Sequence, residues 1–421
     1  MILLLFLVNI TWEYRASAPA VCTYPAIGDV TATNSSGHAC VYIIGGTPGT
    51  GQVRTNYEYD CVVNTWTARA QMPMPERYDF AGCHVSRAGT ERIYVIGGYQ
   101  SAFIYLTDVD EYTPATNTWI SRADMPTQRE GVRAAVISNM IYAIGGDYFD
   151  LGNMIDSVYD IVERYDPEMN TWTSGYATMP TARTDACCAI GVNESGDSCI
   201  YVFGGSTSII GYVPTNAVEE YDPSTDSWRT RNSTGFTARG GAMAVTDRNN
   251  LIYVIGGTSD GSSSLGLVQV YNPVDDTWST ETPIQQPRDG VTGGVVGDIG
   301  GRIHVVVGST GATPVNTNER SAEIVYIDEV SVDKKQNDFL WIQCSPFKTS
   351  TEVRVSIRDA GFVQLQLYDV QGRCVKTIIN EHMPAGNHTA IINGKNLSSG
   401  VYFLQCNTDQ YKENKKITLL K

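Results

Sequence analysis

No lysine occurs before Lys334 in this chain of 421 residues. Up to residue 331 the basic side chains are 18 arginines against 37 carboxylates, a formal charge of −19, whereas residues 332–421 carry +4. An acidic excess without a basic stripe excludes a nucleic-acid surface, which needs clustered positive charge to displace condensed counterions. The change in composition marks a domain boundary near residue 330. Apolar residues at helical spacing are missing as well, which excludes a helical bundle. The 40 glycines and 24 tyrosines favour short strands and tight turns, an all-β chain.

Long hydrophobic runs are also missing. The run "ILLLFLV" at 2–8 is too short to cross a bilayer, so no transmembrane span is expected in the mature chain. Its length suits the apolar part of a secretory signal peptide, although the usual basic residues before it are absent. The ten cysteines contain no Cys-x-x-Cys, which excludes a thiol-built zinc site. They fit an oxidising compartment, and Cys187 or Cys188 with Cys199, and Cys22 with Cys40, can close hairpin-sized loops. No Ser-His-Asp arrangement, phosphate-cradling glycine loop or metal-helix motif appears, so no catalytic residue, metal or cofactor is assigned.

What is present is repetition. "IYVIGG" (93–98), "IYAIGG" (141–146), "IYVFGG" (200–205) and "IYVIGG" (252–257) write one strand again and again, each ending in a glycine pair. The pairs fall at 45–46, 97–98, 145–146, 204–205 and 256–257, with a degenerate Val307-Gly308, a period of about fifty residues. After each comes a variable loop, a strand ending in Tyr ("YEYD", "DEYTP", "ERYDP", "EEYDP", "QVYNP"), a tight turn, and then Trp66, Trp119, Trp172, Trp228 or Trp278. Each repeat reads as four short strands. One such sheet cannot bury its own faces; several packed radially around an axis can.

Glycine pair, Tyr and Trp at this spacing resemble the kelch repeat over residues 11–329. The resemblance implies a β-propeller, with each "IYVIGG" as the same inner strand of a different blade. The sixth repeat lacks its Trp strand, but "TWEYRASAP" (11–19) matches "TWTARAQMP" (65–73) and "TWISRADMP" (118–126). Pairing the N-terminal strand into the last blade closes a circle of six without an open edge. Cleavage after Ala16-Ser17-Ala18 would remove Trp12, so a cut near residues 8–10 is expected.

After a linker at 330–338, the segment 339–421 alternates apolar and polar residues in "TEVRVSI", "FVQLQLYDV", "TAII" and "GVYFLQC", a small β-sandwich of the immunoglobulin-like kind. "SPF" (345–347), "LYDVQGRCVKTI" (367–378), "AGNHTAIINGKNLSSGVYFLQC" (385–406) and "KKITLLK" (415–421) resemble the C-terminal sorting domain of the type IX secretion system, with Ser345 in place of the usual Asn. That resemblance implies engagement of the type IX machinery. It places the chain outside the cell or on the outer-membrane surface of a Gram-negative bacterium.

An arginine recurs just before the inner part of five repeats: Arg77, Arg129, Arg183, Arg239 and Arg288, with Cys22 at the matching place of the first. In the kelch family such arginines line the binding mouth, which implies guanidinium forks gripping an anionic or polyhydroxylated ligand. On an extended strand Asp79 shares a face with Arg77 and Asp185 with Arg183. The arginines therefore either pair with acids and tie blades together or stay free for ligand. Tyr99 and Tyr148 follow glycine pairs on loops and suit stacking on a sugar ring or packing on their own blade. The expected partner is a glycan or an extracellular protein. The enzymatic alternative is a sugar-processing epimerase resembling the six-bladed sialic-acid mutarotases, with Arg183 and Asp185 or Arg129 and Glu130 at the anomeric centre. A copper radical oxidase of the galactose oxidase type is disfavoured, because only His38, His84 and His304 fall within the repeats.

Overall fold

The computed structural model describes residues 10–322 apart from 88 and 297–300. In the C-terminal part it describes 340–342, 350–357, 360–369, 373–384, 386–395, 397–408 and 412–419. The apolar run at 2–8, the linker at 330–338 and Ser345-Pro346-Phe347 lie outside the described residues. The chain divides into two compact units, Met1–Tyr326 and Ile327–Lys421.

The first unit is a propeller of six four-stranded antiparallel sheets. In blade one the order from the axis outward is Thr31–Thr33, Ala39–Ile44, Asn56–Asp60 and Thr65–Ala68. The "IYVIGG" strand is thus second from the axis rather than innermost; the segment preceding it in each repeat forms the wall of the channel. Blade six takes Thr292–Val296, Arg302–Thr310 and Thr313–Ser321 from the end of the unit and Trp12–Tyr14 from its beginning, in the register Trp12↔Ser321 and Tyr14↔Glu319. The circle closes as the Trp pattern predicts.

Three recurring bonds explain why these residue types repeat. First, each Trp on an outermost strand donates its indole N–H to a carbonyl of the preceding blade: Trp119 to Ala70 at 2.8 Å, Trp172 to Ala123 at 2.9 Å, Trp228 to Ala177 at 2.8 Å. The ring lies on the Tyr of its own third strand, as in Tyr112–Trp119 with centroids 4.9 Å apart. One side chain thereby supplies apolar burial and a specific inter-blade bond.

Second, the turn between the third and fourth strands places Asn64, Asn117, Asn170, Asp226 or Asp276 at positive φ, near +50 to +60°. Asn and Asp tolerate this left-handed backbone better than other non-glycine residues. The Asn117 Oδ1 accepts the Tyr112 hydroxyl at 2.8 Å and the Ala70 N–H at 2.8 Å, so the turn clamps its own blade and the preceding one. Asn170, Asp226 and Asp276 repeat this pair of bonds.

Third, the second glycine of each pair donates its N–H to the carbonyl of the recurring arginine of the next blade: Gly46 to Arg77, Gly98 to Arg129, Gly146 to Arg183, Gly205 to Arg239 and Gly257 to Arg288, at 2.8–3.1 Å. Gly308 donates to Cys22 in the same way, again across the closure. The first glycine is at positive φ, and a Cβ on Gly145 would come within 2.6 Å of the Arg183 carbonyl oxygen. A side chain there would both strain the backbone and force the blades apart. In the sixth repeat the strand bulges at this point, with Val307 at φ 51°.

The second unit is a β-sandwich. Leu340–Ile342, Ser350–Ile357 and Gly386–Asn393 form one sheet; Cys374–Met383, Gly361–Tyr368, Gly400–Thr408 and Lys412–Leu419 form the other. Val353, Val355 and Ile357 from the first sheet and Val363, Leu365 and Leu367 from the second fill the space between. Their spacing of two is the alternation that marked these strands in the sequence. No helix among the described residues is long and apolar enough to cross a membrane.

Candidate functional site

The recurring arginines do not reach the mouth. Arg77, Arg129, Arg183, Arg239 and Arg288 are 0–1 % exposed. Each guanidinium turns into its own blade and meets a side chain two residues before the Tyr of the third strand, or before Ser321 in blade six, where Ser321 takes the Tyr position. Arg77 pairs with Asp110 at 2.6 Å, Arg129 with Glu163 at 2.6 Å and Arg288 with Glu319 at 2.5 Å, while Arg183 pairs with Glu219. In blade five Gln269 takes the acid's place against Arg239. In blade one both partners change together: Cys22 and Tyr57 sit in a single apolar cluster. Burial lowers the pKa of Arg239 and Arg288 to about 10, which leaves both charged at neutral pH. The expectation that these five arginines hold ligand is therefore corrected. They cross-brace second and third strands, with Arg129 Nε also donating to the Gly145 carbonyl at 2.8 Å.

Two residues beyond each arginine position the backbone is left-handed. Tyr24 (φ 48°), Asp79 (52°) and Asp185 (52°) share this conformation with Gly131, Gly241 and Gly290. Backbone bonds run from one to the next around the axis: Asp79 N–H to Tyr24 O, Gly131 to Asp79, Gly241 to Asp185, Gly290 to Gly241 and Tyr24 to Gly290, at 2.9–3.1 Å. Because the chain turns here rather than extending, Asp79 and Asp185 point away from Arg77 and Arg183 and into the mouth. The strand-alternation pairing of these acids with those arginines is corrected by that turn.

The mouth encloses a cavity of about 240 Å³. Asp79, Glu130, Asp147 and Asp185 line it, together with Tyr24, Tyr78 and Tyr212, and Thr184, Ser208 and Ile209 complete the wall. Among the described residues one cation forms ion pairs with these acids, and with two of the four. Arg133, 2 % exposed, reaches Asp79 at 3.2 Å and Asp185 at 3.1 Å and donates to the Ala186 carbonyl at 2.7 Å. It stands four residues after Arg129, where the other repeats carry Ala26, Ala81, Cys187, Met243 and Thr292. Its departure from the repeat is the signal in the sequence that marks it.

Crowded carboxylates removed from water hold their protons. Burial, reinforced by the Asp79 charge against the opposing pull of Arg133, lifts the Asp185 pKa to about 8. Burial and the Asp185 charge lift Asp147 to about 7, although Thr184 donates a hydrogen bond to it. Glu130 and Asp79 are raised for the same first reason, burial. The Tyr212 hydroxyl has no hydrogen-bond partner among the described residues, while Tyr24 donates to Asp289 at 3.1 Å.

Tyr99 and Tyr148 are half-buried beside the mouth and do not line it. They belong to an edge-on chain of rings, Tyr78–Tyr99 at 5.4 Å, Tyr99–Tyr105 at 5.1 Å and Tyr105–Tyr148 at 4.9 Å. The three propeller histidines fall in separate blades: His38 meets Asp60, His84 meets Glu91, and His304 lies buried against Tyr59. No cluster of His, Cys, Asp or Glu among the described residues has a metal-holding geometry. Cys22, Cys40, Cys187, Cys188 and Cys199 are free thiols, and Cys199 stands opposite Gly191 rather than either neighbouring cysteine.

Comparison with known proteins agrees with this architecture. Residues 29–230 match a kelch-repeats domain model, described as that of KLHDC2, KLHL20 and DRC7, and 243–285 match the kelch motif. Residues 345–419 match the secretion system C-terminal sorting domain. Kelch-like protein 35 of Mus musculus is 29% identical over 272 residues, 64% of this chain and 41% of that protein. Kelch-like protein 23 of Homo sapiens is 31% identical over 210 residues, 49% and 35%. The chain thus spans less than half the length of these curated relatives. Among solved structures, YjhT superposes with a TM-score of 0.58 at 18% identity over 75% of this chain and 98% of YjhT. A copper-bound fungal alcohol oxidase gives 0.57 at 14% over 98% and 100%. These likenesses, with the blades and closure described above, establish the chain as a six-bladed kelch-repeat propeller followed by a type IX secretion C-terminal sorting domain.

Proposed function

We propose that this chain is an exported binding module whose mouth grips a cationic or hydrogen-bond-donating group on another extracellular protein. The crowding of carboxyl groups in the mouth carries the reading: Asp79, Glu130, Asp147 and Asp185 line a cavity, Arg133 meets only Asp79 and Asp185 of the four from behind it, and a cation entering would offset the burial and mutual repulsion that hold these acids protonated. A lysine or arginine brought there meets carboxylates in a partly dehydrated setting, where attraction is stronger than in water. The sorting domain implies export, and the surface of a Gram-negative cell or the medium around it is where the module acts. A glycan is the other occupant for which hydroxyl donors would suit these acids. An anionic ligand is disfavoured by the buried arginines.

The test is binding of the full chain to arrays of lysine- and arginine-containing peptides, their glutamate counterparts and glycans. The proposal expects capture of the basic peptides and loss of about tenfold or more in the Asp79→Asn/Asp185→Asn double variant. Equal capture of glutamate peptides, or retention of glycans alone, overturns it.

One observation favours a sugar-processing activity as the second reading. A carboxyl that stays protonated to about pH 8 lies 3.1 Å from a guanidinium, an acid beside an anion-binding group. The pair is Asp185 with Arg133 rather than Arg183 with Asp185 or Arg129 with Glu130. Faster equilibration of sialic-acid anomers, followed by NMR and abolished by Asp185→Asn, would establish it; unchanged equilibration removes it.

A further inference from the structure

The loops that follow the glycine pairs divide the rim into two unlike halves. In blades five, six and one they read "TSDGSSS" (258–264), "STGAT" (309–313) and "TPGTGQ" (47–52), short and hydroxylated. In blades two, three and four they end in exposed apolar side chains, and in three and four they are also longer. The hairpin Tyr99–Gln100 and Ile104–Tyr105 presents Phe103 and Ile104 at its tip. The hairpin Asp147–Asp150 and Ile155–Val158 presents Leu151, Met154 and Ile155, of which Met154 is 68 % exposed. The loop after Ser206 presents Ile210, 63 % exposed, and Val213.

These three loops are fastened to one another. Phe103 of the first meets Phe149 of the second at 6.0 Å, and Tyr105 meets Tyr148 at 4.9 Å. Asp156 of the second accepts the Ser208 hydroxyl and the Ile209 N–H of the third, both at 3.2 Å. The apolar tips are therefore held in place, and their bases, Asp147, Ser208 and Ile209, are walls of the carboxylate cavity. Scattered exposed apolar residues need no explanation; a fixed row of them beside a charged pocket calls for a partner.

We infer that the rim of blades two to four is a docking shelf for a segment of an extracellular protein that lays apolar side chains across these tips and inserts a lysine or arginine into the adjoining mouth. The inference rests on the binding reading above and adds the side of approach and the partner's sequence character. Chemical complementarity selects this occupant: four carboxyl groups crowd the cavity, Arg133 meets only Asp79 and Asp185 of them, and the unit bearing the cavity is acidic as a whole. Apolar contacts supply area around the buried cation, an arrangement in which a central anchor is shielded from water by its neighbours.

The experiment is selection of displayed random peptides on the full chain. Enriched peptides are then measured against wild type, the rim variant Phe103→Ser/Met154→Ser/Ile210→Ser and the mouth variant Asp79→Asn/Asp185→Asn. The expected peptides place Lys or Arg within a few residues of aromatic or aliphatic side chains and lose about tenfold or more in affinity for each variant. The rim side chains are exposed, so the rim variant should unfold at the wild-type temperature; Met154→Lys serves as a single-site second variant. Basic peptides bound equally by both rim variants overturn the shelf and leave the mouth reading intact. Apolar peptides without a basic residue, lost only in the rim variants, overturn the mouth reading and the inserted cation with it. Absence of any enriched sequence, or enrichment of acidic peptides, overturns the inference.

Discussion

The indole of Trp12 donates to the carbonyl oxygen of Thr282 at 2.9 Å, across 270 positions of the chain. The same bond joins Trp119 to Ala70 between two blades that are neighbours in sequence. Removing each should therefore have different consequences. Trp12→Ala deletes a buried ring and is expected to cost about 3–5 kcal/mol; Trp119→Ala deletes a half-buried one and is expected to cost less, and only Trp12→Ala also frees the seam. Hydrogen exchange should show Trp12→Ala exposing the Thr313–Ser321 strand far more than the Trp119 change exposes any strand of blade two. Trp12→Phe, which keeps an aromatic side chain but loses the bond and part of the buried volume, is expected to cost at least about 1 kcal/mol and less than Trp12→Ala.

Buried arginines make a different prediction. Arg129→Met leaves Glu163 charged, buried and unpaired, and urea denaturation should show a loss of about 3–5 kcal/mol. Arg129→Met/Glu163→Leu should recover most of it, since an apolar pair of similar volume avoids both desolvation costs. Neither variant, at a temperature where it is folded, should alter binding at the mouth.

The turn residues test interchangeability. Asn117→Asp should lie within about 0.5 kcal/mol of wild type in thermal denaturation, because Asp226 and Asp276 make the same two bonds in blades four and five. Asn117→Ala loses the bonds to Tyr112 and Ala70 and places a less tolerant residue at positive φ. Its expected cost is about 2–3 kcal/mol.

The raised carboxyl pKa values set a pH dependence. Asp185 ionises near 4 in the unfolded chain and near 8 in the folded one, so between those values the native state holds the extra proton. Its contribution to stability is full below about pH 4 and is lost as the pH rises through 8. Asp147, raised to about 7, acts in the same direction. Denaturation midpoints measured from pH 5 to 9 should fall for wild type, and less steeply for Asp185→Asn, which has no proton to lose there.

The architecture was legible because it is repetitive. The glycine and Trp bonds recur in all six blades and the Tyr bond in the first five, and Trp12 announces the closure because it stands in the same Thr-Trp-x-x-Arg-Ala frame as Trp119. The mouth was less legible for two physical reasons. Asp79 and Asp185 sit at a left-handed turn, so the rule that alternate residues share a face does not hold between them and Arg77 or Arg183. The true partners, Asp110 and Glu219, lie more than thirty positions away, a separation that local reading does not bridge. Arg133 escaped notice because repeats draw attention to what recurs, whereas the cation of the mouth occurs once.

The seam in blade six also orders events in time. Arg320 and Glu13 meet across 307 positions, and Asn318 accepts the Arg15 N–H nearby. A ribosome or an export channel delivering this polypeptide head first must finish nearly the whole unit before its leading segment finds a place to lie. Until then that segment has no partner strand, and the meeting of the two ends carries the largest loop-closure cost among the sheet pairings of the unit.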